Sequence, residues 1–321
     1  MTVTVPARLH LGFLDPSGES GRRFGGIGLA IGDLRTKITI RRAARDLIEG
    51  PEHERVCRHL ETMRASLGVV GAHHVTVDDV VPAHAGLGSG TQIALAVAAG
   101  LRRLHDRPLD VEGDAARLGR GARSGLGIGL FHRGGLVVDG GRGPATISPP
   151  VVSHLQFPEA WRILLVLDPA RHGMHGTHEA EAFATLPPFP RERAADNCRL
   201  VLMQALPALV ERDLPSFGAA IAELQTHIGD YFAPIQGGSR FTSPAVAAAL
   251  AEIDTGEVYG MGQSSWGPTG FAFAPDDETA RRLLERLRHN QQLGALDIRI
   301  CRGLNRGAQV TSTPAVTTEE A

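Results

Sequence analysis

The chain has 321 residues, of which 42% are hydrophobic and 21% are charged, and its formal net charge at pH 7 is -2. A chain of this size can bury a substantial core in one large domain or two smaller ones. The near-neutral charge supplies no basic field for nucleic acid or anionic lipid, so the composition favours a small-molecule partner. The sequence has no membrane-length apolar run and no signal-like start, and we therefore expect a cytoplasmic protein.

The first half of the chain begins with a β layer. Alternating apolar residues predict strands over 2–14 and 26–42, separated by the turn-forming Asp15-Pro16-Ser17-Gly18. Apolar periodicity then predicts the remaining elements of this half, which are a helix over 52–67, a strand over 75–77, helices ending near 104 and 120, and a strand over 131–139.

The pattern restarts after Pro149-Pro150, where we place a domain boundary. Residues 1–150 and 151–305 are then the two domains, and residues 306–321 are a frayed tail. In the second domain the pattern predicts strands over 163–167, 257–261, 270–274 and 297–301, and helices over 194–211, 214–230, 244–252 and 276–291. This βαβ-like order suggests an α+β layer with helices on one face.

A glycine-rich turn, Gly86-Leu87-Gly88-Ser89-Gly90-Thr91-Gln92, leads into an alanine-rich helix. The backbone N–H groups of such a turn and the positive end of the helix dipole can bind phosphate without a charged side chain. The hydroxyls of Ser89 and Thr91 can add bonds to phosphate or to a bound Mg²⁺. A tight turn before a packed helix is the alternative, but the hydroxyls at the helix start favour phosphate binding.

Two further segments, 119–129 and 260–270, have the same glycine-rich composition. Three such loops in one chain exceed what turns alone require. The first of these two segments carries Arg120 and Arg123, whose forked donors suit phosphate oxygens.

The segment Pro6-Ala7-Arg8-Leu9-His10-Leu11-Gly12, together with 86–92 and 260–270, resembles the three motifs of the galactokinase, homoserine kinase, mevalonate kinase and phosphomevalonate kinase (GHMP) superfamily. The resemblance implies an α+β, GHMP-kinase-like two-domain fold. Its parts would be a ribosomal-protein-S5-like N-terminal domain and a ferredoxin-like α/β C-terminal domain, with the active site in the cleft between them.

Residues that kinases of this superfamily use for phosphoryl transfer are missing from these motifs. Gly90-Thr91 replaces the usual Ser-Ala, and Gly127 stands where mevalonate-kinase-like members supply a catalytic aspartate. A glycine can neither accept the proton of a hydroxyl nor orient the alcohol. A kinase that uses another base, and an inactive protein that binds a phosphate ligand, are the alternatives.

The altered motifs resemble one branch of the superfamily, the β-ribofuranosylaminobenzene 5'-phosphate synthases. The similarity lies in segments 6–10, 24–28, 86–92, 123–129 and 134–141. It implies an enzyme of tetrahydromethanopterin biosynthesis that joins 5-phosphoribosyl 1-pyrophosphate (PRPP) to 4-aminobenzoate or 4-hydroxybenzoate, releasing CO₂ and pyrophosphate. It also implies Mg²⁺ with the PRPP, a homodimer, and no organic cofactor, because the para substituent itself feeds electrons to the attacking carbon.

The resemblance also implies a set of site residues. Residues 86–92 would bind pyrophosphate, with Ser89 and Thr91 as ligands of the Mg²⁺. The remaining negative charge would be neutralised by Arg8 and Arg123, together with Arg22 or Arg23, and Ser124 would be a further substrate-binding residue. His10, and after it Asp15, are the candidates for an acid or base near the para substituent, although a hydrogen-bonded His10 on a half-buried strand is equally compatible with the pattern.

Two smaller groups of polar residues lie in the second half. His172, His175 and His178 follow a predicted strand, where they form a weak metal-binding pattern or a substrate contact from the second domain. Asp196 and Asn197 are predicted to be an N-cap pair at the start of a helix.

Overall fold

A computed structural model describes residues 1–19, 21–174 and 176–312, and only the backbone of 176–180. The described strands are β1 (Thr2–Asp15), β2 (Phe24–Ala43), β3 (Leu47–Glu49), β4 (Ala72–Asp79), β5 (Leu136–Asp139), β6 (Val151–Leu155), β7 (Arg162–Leu167), β8 (Tyr259–Gln263), β9 (Thr269–Ala274), β10 (Asp297–Cys301) and β11 (Gln309–Thr311). The described helices are α1 (His53–Leu67), α2 (Ser89–Leu104), α3 (Val111–Arg117), α4 (Leu126–Arg133), α5 (Gly176–Thr185), α6 (Arg191–Leu200), α7 (Leu206–Glu211), α8 (Leu214–Phe232), α9 (Pro244–Ile253) and α10 (Asp277–His289).

The first sheet is built on the long antiparallel pair of β1 and β2. Its strand order is β11-β1-β2-β4-β3. β5 pairs with the first part of β2, and β6 pairs with β5. Apolar residues of β1, β2 and β4 form one cluster with α1 and α2. The small residues of α2 let it lie close to the strands, since a Cβ on Gly100 would lie 2.8 Å from Ile40. The helix that follows the glycine-rich turn is therefore held rigidly on the sheet.

The second sheet has four strands in the order β10-β7-β9-β8, and each neighbouring pair is antiparallel. Counted within this domain the order is 4-1-3-2, and helices connect its first and second strands and its third and fourth strands, which is the ferredoxin-like arrangement. The expectation of helices on one face is wrong. Leu164 and Val166 pack with α9 and α10, whereas Ile163 and Leu165 lie in the cluster that contains α8.

The two halves share one apolar core. Leu9 and Leu11 of β1 belong to the same cluster as Phe217 and Leu224 of α8. The Gln225 side chain donates to the backbone carbonyl of Leu11 over 2.7 Å and accepts from the backbone of β8. The first strand therefore lies directly against the second domain, where a site between the halves can form.

Residue 150, the predicted domain boundary, does not separate the two sheets, because two short strands after it belong to the first sheet. β6 pairs with β5, and β11 pairs with β1, so both belong to the first sheet. Residues 306–312 thus return to the first domain instead of forming a frayed tail, and 313–321 lie outside the described residues. Short edge strands give little alternation by which a sequence pattern can reveal them.

The predicted strand over 131–139 is also corrected, because its first residues finish α4 and only Leu136–Asp139 is extended. An apolar run as short as this fits either a buried helix or a buried strand. A π-helical turn, Val201–Ala205, joins α6 to α7, so the predicted helix over 194–211 is one continuous segment. Within the described residues, no helix has the length and apolar character needed to span a membrane.

Candidate active site

The start of α2 is the centre of the site. The helix begins at Ser89 after Gly88, whose φ of 78° is left-handed, and no side chain of the described residues caps it. The first backbone N–H groups of a helix have no acceptor within the helix, so at an uncapped start they can donate to an anion. The helix dipole adds a partial positive charge at the same place.

Gly86 brings the three glycine-containing motifs together. Its φ is 78°, and a Cβ at this position would collide with the backbone carbonyl of Ser264. The Ser264 hydroxyl donates to the Gly86 carbonyl over 2.8 Å and accepts from the backbone N–H of His10 over 3.0 Å. Arg8 donates to the Leu87 carbonyl through its backbone N–H and to the Gly86 carbonyl through Nη2, over 3.0 and 3.1 Å. The predicted meeting of these motifs is present in the fold.

A cavity of about 320 Å³, which we call the glycine-loop cavity, opens beside this turn. The polar and charged side chains that line it are Arg8, Thr91, Gln92, Arg120, Arg123 and Ser124. In the described part of the chain, no aspartate or glutamate lines it. Three guanidinium groups beside an uncapped helix start are suited to binding a multiply charged anion.

Arg120, which the sequence analysis names with Arg123 as a donor suited to phosphate oxygens, lies over the first turn of α2. Its Nη1 is 3.1 Å from the position that a Cβ on Gly90 would occupy. Its Nε is buried and has no hydrogen-bond partner among the described residues, and burial, with the nearby Arg55 and Arg58, lowers the pKa of its guanidinium group. A buried donor without an acceptor is costly, so a bound anion would stabilise this side chain.

Thr91 and Ser89, the two predicted magnesium ligands, have different surroundings. Thr91 lines the glycine-loop cavity, whereas Ser89 is buried and does not line it. Gln92 is also buried, and its side chain donates to the Leu87 carbonyl over 3.1 Å, which stabilises the turn. A hydroxyl without a neighbouring carboxylate fits Mg²⁺ only as an ion that phosphate oxygens already coordinate.

Asp139 holds the loop that carries Arg123, although the sequence analysis assigned it no role. One carboxylate oxygen accepts from the Ser124 hydroxyl over 2.8 Å and the Gly125 backbone over 3.0 Å, and the other accepts from the Gly141 backbone over 2.9 Å. Asp139 is fully buried, and this burial raises the pKa of its carboxyl group. Its position at the end of β5, before Gly140-Gly141, was the available sequence signal.

His10 is buried and does not line the glycine-loop cavity. Its Nδ1 accepts from the Gly12 backbone over 3.2 Å, so a neutral ring carries its proton on Nε2. Burial, and after it the charges of Arg8 and Arg123, lowers the pKa of His10 well below 6.5. The structure therefore holds His10 as a neutral imidazole next to the ring of Phe13, 4.3 Å away between ring centroids.

Asp15 and Arg22 both stabilise the loops next to β1 and β2. Asp15 accepts from the Gly18 backbone over 2.7 Å, which closes the turn after β1. The Arg22 guanidinium group donates to the carbonyls of Gly140 and Gly141 over 2.6 and 2.7 Å. These bonds hold Arg22 against the Gly140–Gly141 turn, outside the glycine-loop cavity.

Arg23 lies at the edge of the site and not in the glycine-loop cavity. Its Nε donates to the Pro16 carbonyl over 3.0 Å, and its guanidinium carbon lies 4.9 Å from the centroid of the Phe24 ring. The guanidinium carbon of Arg123 lies 6.0 Å from the same centroid. The Phe24 ring is therefore close to both of these predicted arginines.

The histidine segment of the second half contacts the glycine-rich turn through its first residues. The backbone of Gly173 donates to the His84 carbonyl over 2.8 Å, and the rings of His84 and His172 lie edge to face with centroids 6.2 Å apart. His175 lies outside the described residues, and so does the side chain of His178.

The predicted N-cap role of Asn197 is wrong, because α6 begins at Arg191. Instead, the Asn197 amide donates to the carbonyls of Phe13 and Leu14 over 3.3 and 3.2 Å. Its Oδ1 lies 2.7 Å from Nδ1 of His227. Asn197 thus ties α6 and α8 to the end of β1.

The fold and the site together define a protein of the GHMP kinase superfamily. The pattern of the GHMP kinases N terminal domain matches residues 54–130, and that of the GHMP kinases C terminal domain matches residues 205–292. The putative homoserine kinase of Listeria monocytogenes superposes with a TM-score of 0.68 at 17% identity, covering 97% of this chain and 99% of the other. This likeness shows the fold.

Sequence comparison places the chain more narrowly. It is 35% identical over 240 residues to the beta-ribofuranosylphenol 5'-phosphate synthase of Archaeoglobus fulgidus, covering 70% of this chain and 75% of the relative. It is 32% identical over 302 residues to the enzyme of the same name from Methanocaldococcus jannaschii, covering 85% and 89%. The chain belongs to the beta-ribofuranosylphenol 5'-phosphate synthase family.

Proposed function

We propose that this protein joins PRPP to 4-hydroxybenzoate, forms a ribofuranosylphenol 5'-phosphate, and releases CO₂ and pyrophosphate, as a step of tetrahydromethanopterin biosynthesis. The observation that carries the proposal is the glycine-loop cavity, which combines three arginines with an uncapped helix start and, among the described residues, contains no aspartate or glutamate. Such a site suits the departure of pyrophosphate, and its described lining offers no carboxylate that would activate an alcohol for phosphoryl transfer.

The choice of 4-hydroxybenzoate over 4-aminobenzoate follows the name of the relatives. They are named for a ribofuranosylphenol product, in which the aromatic ring carries a hydroxyl group. Exchange of a hydroxyl for an amino group changes one or two hydrogen bonds. The activity with 4-aminobenzoate therefore has to be compared with the activity with 4-hydroxybenzoate.

The reaction breaks two bonds and forms one carbon–carbon bond. The bond between C1 of the ribose and the pyrophosphate oxygen breaks, and pyrophosphate leaves with the electron pair. The ring carbon that bears the carboxylate then attacks C1, assisted by electrons from the para oxygen. Loss of CO₂ returns an electron pair to the ring and restores its aromaticity, so the balance requires no oxidant or reductant.

The chain's own residues assist mainly the departure of pyrophosphate. Arg8, Arg120 and Arg123, with the first N–H groups of α2, offset the charge that develops on the leaving group. The Thr91 hydroxyl would ligate a Mg²⁺ that the pyrophosphate also coordinates, and that ion would supply further positive charge. His10, held neutral with its proton on Nε2, is suited to donating a hydrogen bond and not to removing a proton through that atom.

An assay of labelled CO₂ tests the proposed function. Purified protein is incubated with Mg²⁺, PRPP and either carboxyl-labelled 4-hydroxybenzoate or carboxyl-labelled 4-aminobenzoate. We expect PRPP-dependent release of label, with the higher kcat/KM for 4-hydroxybenzoate. Folded protein that releases label from neither acid would contradict the synthase activity, and an ATP-dependent phosphorylated product would support a kinase.

A further inference from the structure

A second arginine pair lies outside the glycine-loop cavity, at the end of β2. Arg23 and Arg142 are directly opposite each other in an isolated antiparallel bridge, joined by backbone hydrogen bonds of 2.9 and 2.7 Å. Residues directly opposite in such a bridge place their side chains on the same face, where like charges destabilise the pair. In the part of the chain that the structure describes, neither arginine forms an ion pair with a carboxylate.

The two arginines border an open cavity of about 340 Å³. Its other lining residues are small or apolar and are Ser17, Gly18, Gly21, Phe24, Gly143 and Pro144. We call this cavity the Arg23–Arg142 cradle. Among the described residues these two guanidinium groups have no carboxylate counterion, and a pair of forked donors suits a doubly charged oxyanion.

The backbone next to the cradle is strained. Phe24 has a φ of 70°, a left-handed value that bulky residues rarely adopt. Such strain persists only where surrounding contacts impose it, and it clusters at ligand sites. Here it sets the position of the Phe24 ring, whose centroid is close to the guanidinium carbons of both Arg23 and Arg123.

The position of Phe24 joins the cradle to the glycine-loop cavity. Both guanidinium carbons lie near the same ring centroid, at 4.9 Å for Arg23 and 6.0 Å for Arg123, so they are separated by no more than the sum of these distances. This upper limit brings both guanidinium groups within reach of the two anions that one pentose carries at its ends. A ligand with an anion at each end of a pentose can therefore use both sites at once.

We infer that the Arg23–Arg142 cradle binds a sugar phosphate monoester, the 5'-phosphate of PRPP, while the glycine-loop cavity binds the pyrophosphate. This inference rests on the proposed function for its ligand. The exposure of the cradle suits the phosphate, which stays hydrated at its outer oxygens, better than an aromatic carboxylate that reacts away from water. The 5'-phosphate is retained in the product, so the cradle holds substrate and product alike.

Titration calorimetry with two separate probes, ribose 5-phosphate and pyrophosphate, distinguishes the sites. Arg142→Ala should weaken ribose 5-phosphate binding by about tenfold or more and leave pyrophosphate binding within about twofold. Arg120→Ala should do the reverse. Arg142→Lys, which keeps the charge without the fork, should fall between wild type and Arg142→Ala, and Arg286→Ala on the exposed face of α10 should change neither affinity.

The outcomes separate this inference from the proposed function. An active wild type whose affinity for ribose 5-phosphate is unchanged in folded Arg142→Ala and Arg142→Lys would overturn the cradle alone. Equal weakening of both probes by Arg142→Ala would also overturn it. A wild type that binds ribose 5-phosphate through Arg142, yet releases no CO₂ from either aromatic acid, would support the cradle and contradict the proposed reaction.

Discussion

The methyl group of Thr91 occupies the space into which a side chain at position 127 would extend. Its Cγ2 lies 2.9 Å from the position of a Cβ on Gly127, and its own Cβ lies 3.4 Å from that position. The two departures from the kinase motifs are therefore coupled in space, although 36 positions separate them in the chain. Loss of a carboxylate at 127 and gain of a threonine at 91 describe a single change in the shape of the cavity.

This coupling predicts a conditional effect of Gly127→Ala. In the wild-type background the added methyl group overpacks the site, and the free energy of unfolding should fall by about 1–3 kcal/mol. In a Thr91→Ser background the interfering Cγ2 is gone, so the same substitution should cost little. Urea denaturation of the four proteins in a double-mutant cycle measures the difference, and additive effects would show that the two residues do not compete for space.

The sequence predicts the motif residues of the site better than it predicts the contacts around them. The meeting of Arg8, Gly86 and Ser264 was predictable, since each belongs to a glycine-containing motif whose place in the superfamily fold is known. The contact of Thr91 with Gly127 depends on how α4 packs on α2, and the unpartnered donor of Arg120 depends on how the loop before α4 lies on α2. Local sequence patterns do not predict such contacts between distant segments, because tertiary packing determines them.

Asp139 illustrates the same limit for buried polar groups. Its sequence neighbourhood predicts a strand end followed by glycines, and nothing in that pattern shows that three donors converge on its carboxylate. We predict that Asp139→Asn lowers the free energy of unfolding by about 1–3 kcal/mol, because an amide group then faces a donor that needs an acceptor. The kcat should also fall, because the loop of Ser124 and Arg123 loses its anchor.

Asp276→Asn is the matched control for this substitution. Asp276 caps α10 by accepting from the Thr279 backbone over 2.8 Å, and asparagine caps helices about as well as aspartate. Chemical denaturation and the labelled-CO₂ assay of both variants check the prediction. If Asp139→Asn were no less stable than Asp276→Asn, the buried carboxylate would not be the anchor of the loop.

His59 on α1 predicts how stability depends on pH. Burial, and after it the charges of Arg120, Arg55 and Arg58, lowers the pKa of His59 from 6.5 to about 4. The folded state therefore binds this proton less readily than the unfolded state, and the stability that the neutral ring provides is lost as pH falls from about 6.5 towards 4. Above pH 6.5 both states hold His59 neutral, so this residue adds no pH dependence there.

Replacement by leucine isolates the contribution of this histidine. The free energy of unfolding of His59→Leu should decline less steeply between pH 6.5 and 4.5 than that of wild type, by at most about 1.4 kcal/mol per pH unit. Urea denaturation at a series of pH values measures both slopes. Identical slopes would mean that His59 titrates normally in the folded protein, and that the residues around it do not exclude its charged form.

Arg120 provides the most direct test of the anion site, because its guanidinium group lies over the first turn of α2. Arg120→Ala should weaken pyrophosphate binding by about 10- to 100-fold, since hydrogen bonds to a charged group contribute about 1.5–3 kcal/mol. The protein should remain folded, and its unfolding free energy should stay the same or rise, because a buried donor without a partner is removed. Arg103→Ala, at the exposed far end of the same helix, is the control and should leave the affinity unchanged. Calorimetry that gave the two alanine variants equal affinities would place the pyrophosphate elsewhere than over the first turn of α2.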